Sequence, residues 1–120
     1  MKKTALIIED EKNIAEAQAL ILGELYDIHH AFDGDEGLKK AEDLKPHVII
    51  LDLMLPKRNG YDVCFNIRQN KELNDTKIVM VTAKNQKLDV DKGNFIGADK
   101  YITKPFDPDD LLNAVSEVLK

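Results

Sequence analysis

The sequence predicts an α/β protein built on a parallel sheet with helices packed on both faces. Three observations carry this. Short continuous apolar runs, Ala5 to Ile8, Val48 to Leu51 and Ile78 to Val81, read as strands buried on both faces, because half-exposed strands alternate instead. Between them lie longer stretches whose apolar residues recur every three or four positions, the helical period. Alternation of the two favours right-handed β-α-β crossovers and an open parallel sheet.

Taken in order, Ala5 to Ile8 is the first strand, and Ile14, Ala17, Ile21 and Leu25 mark a helix laying one stripe on the sheet. Tyr26 to Ala31, with Ile28 between polar residues, is a poorer strand suited to a sheet edge. Leu38, Ala41 and Leu44 mark a second helix that stops before Pro46, and Val63, Cys64 and Ile67 a third that starts near Gly60 and Tyr61. Val48 to Leu51 and Ile78 to Val81 are the third and fourth strands. Gln86 to Ile96 is the weakest helical stretch: Gly93 interrupts it and its apolar residues are irregularly spaced, so it should be the least rigid element. Tyr101-Ile102 is a weak fifth strand, followed by a helix with Leu111, Leu112, Val115, Val118 and Leu119 on one side.

With 120 residues the chain suits one domain, residues 1–120, since a second core would lack material. Hydrophobic content of 43% is too high for a disordered chain. A net charge of -5 without a basic stripe argues against nucleic-acid binding, which draws on clustered Lys and Arg. No apolar run approaches the ~20 residues a bilayer span needs, and the run after Lys2-Lys3 is too short for a signal peptide. The expectation is a cytoplasmic protein without membrane contact. The one cysteine, Cys64, falls on an apolar helical stripe and reads as a small core residue. His29, His30 and His47 lack carboxylate or cysteine neighbours at ligand spacing and read as edge or surface residues.

Ligands of open parallel sheets sit outside the carboxyl ends of the strands. There the sequence places Glu9 and Asp10 after the first strand, Asp52 after the third, Thr82 at the end of the fourth and Lys104 after the fifth. Two like charges about 4 Å apart at an effective dielectric of ~20 repel by about 4 kcal/mol, so three clustered carboxylates call for a cation. The donor set is all oxygen, which suits Mg2+ better than zinc. Asp52 would be a nucleophile toward a phosphoryl group, Lys104 its counter-charge and Thr82 a hydrogen-bond donor. Singly, each residue has a plainer role: Asp10 or Glu11 as a helix cap, Lys104 as a solvated lysine, Thr82 as a strand-end residue. Their joint placement favours the phosphoryl site.

The motifs Ile7-Ile8-Glu9-Asp10-Glu11, Leu51-Asp52-Leu53-Met54-Leu55-Pro56 with Asn59-Gly60, Val81-Thr82-Ala83, and Gly97-Ala98-Asp99-Lys100-Tyr101-Ile102-Thr103-Lys104-Pro105-Phe106 follow one another along the chain. Over its whole length it resembles the receiver domain of two-component response regulators. The resemblance implies a three-layer, doubly wound, flavodoxin-like fold with five parallel strands in the order 2-1-3-4-5. It implies that Asp52 accepts a phosphoryl group from a sensor histidine kinase or a histidine phosphotransfer protein. Mg2+ would be bound by Asp10 and Asp52, by Glu9 directly or through water, and by the Met54 backbone carbonyl. Thr82 and Tyr101 would act as the switch pair, remodelling the face of the fourth helix, fifth strand and fifth helix, and Lys104-Pro105 would be a cis peptide. Such a domain signals rather than turning over a substrate, and acts on a downstream protein or a fused output domain, with no direct nucleic-acid contact. Bulky Met54 and Lys84 would limit hydrolytic water and prolong the phosphoryl lifetime.

Two other classes share parts of this pattern. A flavin-binding protein needs hydrogen-bond donors after the first strand, where Glu9-Asp10-Glu11 would repel a phosphate. A haloacid-dehalogenase-type phosphatase resembles an Asp-x-Asp arrangement, whereas Leu53-Met54 follows Asp52. The alternative within the same fold is a phosphorylation-independent, receiver-like binding scaffold.

Overall fold

The computed structural model describes residues 2–83 and 97–120. Its strands are β1 (Lys3–Ile8), β2 (Tyr26–Ala31), β3 (Val48–Asp52), β4 (Lys77–Ala83) and β5 (Lys100–Lys104). The helices among the described residues are α1 (Lys12–Leu22), α2 (Gly34–Leu44), α3 (Gly60–Gln69) and α4 (Pro108–Val118), with a 3-10 turn at Lys71–Leu73. All strand pairings are parallel and the sheet order is β2-β1-β3-β4-β5. The three-layer flavodoxin-like winding is the fold of this chain. The stretch Gln86 to Ile96, expected to be least rigid, and Lys84 lie outside the described residues.

Successive side chains of a strand point to opposite faces, so each strand feeds two cores. Leu6, Ile8, Ile49, Leu51, Ile78 and Met80 meet Ala41 of α2 and Val63, Cys64 and Ile67 of α3. Ala5, Ile7, Val48, Ile50, Val79 and Val81 meet α1 and α4 on the other side. Each large aliphatic side chain fully buried in this way contributes about 1.5–3 kcal/mol. Burial also pushes the Cys64 thiol up to about 11, as befits a packing residue. Strand β2, at the edge, is only half-buried.

Helix α1 departs from expectation. The residues it buries are Ala15, Gln18 and Leu22, while Ala17 is exposed and Ile14 and Ile21 are half-buried. The helix sits in the corner between sheet and α4, so its apolar side spreads over two neighbours and the face on the sheet is turned by one residue. Leu25, 59% exposed, falls beyond the end of the helix at Leu22, where helical spacing no longer applies.

Local signals set the other ends. Asp33 caps α2 by accepting from the Glu36 N–H at 2.8 Å, and Asn59 caps α3 by accepting from the Asp62 N–H at 2.9 Å. Pro108 opens α4, and the Asp110 side chain accepts the Asp107 N–H at 3.1 Å. At the far rim of the sheet, Arg68 donates to the Gly97 carbonyl at 2.9 Å, the Thr76 carbonyl at 2.7 Å and Asp99 Oδ2 at 2.9 Å. Asp99 Oδ2 also accepts the Ile78 N–H at 2.8 Å. One guanidinium thereby joins α3 to the starts of β4 and β5.

Candidate functional site

The sheet order reverses at β1, whose neighbours are β2 and β3, and such a switch point opens a crevice at the carboxyl ends of the strands. The register pairs Ile8 of β1 with Leu51 of β3, which sets the next residues, Glu9 and Asp52, side by side. Ligand atoms of Glu9, Asp10 and Asp52 all lie within 4.8 Å of one another. Glu9 is 1% exposed and Asp52 is buried, whereas Asp10 faces solvent.

Lys104, the last residue of β5, reaches across to this group. Its Nζ donates to Glu9 Oε1 at 2.7 Å and lies 3.5 Å from Asp52 Oδ1. Glu9 Oε2 also accepts the Glu11 N–H at 3.2 Å. Glu11 occupies the cap position of α1 without a side-chain capping bond, so the acidic run is not spent on starting the helix. Thr82 is 2% exposed on β4, one residue before Ala83, which pairs with Lys104. Tyr101 is half-buried against the core under α2 and α3. The Lys104-Pro105 peptide is cis. His47, away from the site, accepts the Thr4 N–H on Nδ1 at 3.0 Å.

The loop after Asp52 is set by its backbone. The Leu53 N–H donates to the Val81 carbonyl at 2.9 Å, and the Gly60 N–H returns to the Leu53 carbonyl at 2.7 Å. A Cβ at Gly60 would stand 2.6 Å from the Asp52 carbonyl oxygen, so only glycine lets α3 start this close to the site. Met54 is 64% exposed, and its backbone N–H donates to the Asp52 carboxylate.

Electrostatics show a group short of positive charge. Burial raises Glu9 to about 7, helped by the Asp52 charge and opposed by the Lys104 hydrogen bond. Burial likewise raises Asp52, with Asp10 adding to the shift and Lys104 and the Met54 amide resisting it. Burial alone would lower Lys104, but its hydrogen bond to Glu9 and the Asp52 charge outweigh that and raise it. One ammonium against three carboxylates leaves an excess of negative charge, and the donors are hard oxygens; the residues fit a divalent cation such as Mg2+.

Comparison with known proteins decides the family. The model for the response regulator receiver domain matches residues 5–116. The chain belongs to the response regulator receiver family. Among curated relatives of this receiver domain, the alkaline phosphatase synthesis transcriptional regulatory protein PhoP of Bacillus subtilis is 42% identical, covering 100% of this chain and 50% of that protein. Response regulator ArlR of Staphylococcus aureus is 43% identical, covering 96% of this chain and 52% of that protein. The chain thus spans about half the length of the curated relatives it matches. Among solved structures, Vibrio cholerae chemotaxis protein CheY4 superposes with a TM-score of 0.91 at 27% identity, covering 99% of this chain and 100% of that one. A BeF3-activated DrrB receiver domain gives 0.87 at 33% identity, covering 99% and 98%. The receiver domain is a signalling domain of two-component systems. Among the described residues, no helix is long and apolar enough to cross a membrane.

Sequence reasoning passed over two features beside the site. A groove of about 890 Å3 runs alongside Lys104, lined by Ile14, Ala17, Ile21, Pro105 and Phe106, and the buried Gln18 Oε1 of its lining has no hydrogen-bond partner among the described residues. The cue was the outward-turned apolar side of α1, legible only once the helix is placed. The second feature is the pair Lys57 and Arg58 on the loop after Asp52, whose side chains reach Asp33 and Asp35.

Proposed function

We propose that residues 1–120 form one receiver domain that switches a partner by phosphorylation of Asp52. The observation carrying this is the approach of three carboxylates within 4.8 Å of one another, two of them bridged by Lys104. Asp52 attacks the phosphorus of a phosphohistidine on a sensor kinase or phosphotransfer protein: an O–P bond forms, the P–N bond breaks, and the imidazole nitrogen keeps the electron pair. Asp10, Asp52 and the Met54 carbonyl would hold Mg2+, with Glu9 joining directly or through water, and the ion when bound supplies the charge that lets carboxylates and phosphoryl oxygens share the site.

Lys104 turns from Glu9 and Asp52 to a phosphoryl oxygen, and Thr82 donates its hydroxyl proton in a hydrogen bond to another. Tyr101 then packs behind Thr82, changing the surface around β5 and α4, a packing equilibrium biased by new charge. The apolar groove beside Lys104 suits the donor protein, which must bring its phosphohistidine to Asp52. The domain catalyses only its own phosphorylation and dephosphorylation. Transcriptional regulation, carried in the name of the Bacillus subtilis relative, would reside in a downstream protein or a fused output domain, with this domain touching neither nucleic acid nor membrane. The domain would act in the cytoplasm.

Incubation with acetyl phosphate and Mg2+, followed by intact-mass measurement, tests this. The wild type should gain one phosphoryl mass and Asp52→Ala none. A wild type without added mass, or an Asp52→Ala variant that gains it, overturns the assignment.

A further inference from the structure

The loop between Asp52 and α3 carries a strained residue and a run of charge pairs that the phosphoryl site does not use. Lys57 has φ +69°, in the left-handed region that favours glycine, and it is not a glycine. Its Nζ lies 3.5 Å from Asp33 Oδ2, the carboxylate that caps α2. The next residue, Arg58, donates from Nε to Asp35 Oδ1 at 2.5 Å and from Nη1 to Asp62 Oδ2 at 2.8 Å. Backbone contact reinforces these pairs. A Cβ at Gly34, the first residue of α2, would stand 2.7 Å from Arg58 Cβ and 2.9 Å from its carbonyl oxygen.

Leu53 and Gly60 fix the two ends of this loop through backbone bonds. Between them, Leu55 reaches the core under α2 and α3, while Met54 is exposed. We infer that Lys57 and Arg58 are positioning residues, bracing the loop against the start of α2 and so fixing the backbone path at Met54. The inference rests on the reading that the Met54 carbonyl ligates Mg2+. An exposed pair contributes little alone. Two adjacent cations gripping Asp33, Asp35 and Asp62 on two helices, with Gly34 in contact, form a network that holds a left-handed backbone in place. The route to the metal is indirect: Asp33 and Asp35 touch no ligand, and act through the loop.

The test measures Mg2+ binding by calorimetry and amide hydrogen exchange of residues 53–59 without metal. Arg58→Ala and Asp35→Ala should each weaken Mg2+ by about three- to tenfold and speed exchange in the loop, and the double variant should be no worse than Arg58→Ala alone. Arg58→Lys, which keeps a cation between Asp35 and Asp62, should retain part of the affinity that Arg58→Ala loses. The ratio of wild-type to Arg58→Ala affinity should shrink toward one near 1 M salt, where pairs of this exposure are screened. Lys45→Ala, which breaks the Lys45–Glu72 pair elsewhere on the surface, should change neither measurement. Unchanged Mg2+ affinity together with unchanged exchange in Arg58→Ala overturns the brace. A wild type that binds no Mg2+ sinks the metal reading itself, while the metal-free exchange data still judge whether the loop is braced.

Discussion

Replacing Glu9 with glutamine should stabilise the metal-free protein at pH 8 while removing a proposed Mg2+ ligand. Glu9 is 1% exposed, and burial raises it from the usual 4.5 to about 7. A carboxyl whose folded value lies above its unfolded value costs nothing below pH 4.5, costs progressively more up to about pH 7, and a constant amount beyond. At about 1.36 kcal/mol for each unit of pKa, the full cost is about 3 kcal/mol. Glutamine is a neutral isostere that can still accept from Lys104, so Glu9→Gln should gain most of this at pH 8 and nothing near pH 4. Urea unfolding followed by circular dichroism at both pH values measures it. Mg2+ at a hundredfold its dissociation constant should stabilise the wild type by ~2.7 kcal/mol and the variant far less. A variant no more stable than wild type at pH 8 would refute the idea that Glu9 is held ionised at a cost.

Removing the ammonium should act in the opposite sense. In Lys104→Met both Glu9 and Asp52 lose the group that resists their upward shift, so carboxyl NMR titration should find Glu9 above 7. Gly60→Ala should destabilise by about 1–3 kcal/mol in urea, because its Cβ would press on the Asp52 carbonyl and no flexible side chain can yield. We predict that Met54→Ala shortens the Asp52 phosphoryl half-life, measured by intact mass after phosphodonor removal; an unchanged half-life would count against a shielding role for Met54.

Much of the fold was legible because buried parallel strands announce themselves: Val48 to Leu51 and Ile78 to Val81 have no solvent face, so nothing interrupts their apolar runs. Strand order came from the family resemblance, not from periodicity, since register depends on distant pairing. That the candidate site residues come together was readable for a similar reason. Glu9, Asp52, Thr82 and Lys104 sit at or near strand ends, and the parallel sheet gathers such ends on one edge. What escaped were matters of rotation and reach. The face α1 turns to the sheet was misplaced because Gln18 is buried among apolar neighbours while Ala17 is not. The grip of Arg58 on Asp35, 23 positions earlier, leaves no trace in local spacing.

The guanidinium of Arg68 binds the start of β5 from outside the site. Through Gly97 and Asp99 it holds the strand at the rim opposite Lys104, while the ladder to β4 runs from Lys100 to Lys104. A strand of this length spans ~13 Å, with one end moored and the other carrying the charge that answers Asp52. Sliding by one residue would carry Tyr101 and Ile102 to the wrong faces and tear out that mooring. Force applied at Lys104 therefore cannot shift β5 along its neighbour. It must be taken up by side chains turning about a stationary backbone, which makes the strand a fixed axle rather than a piston.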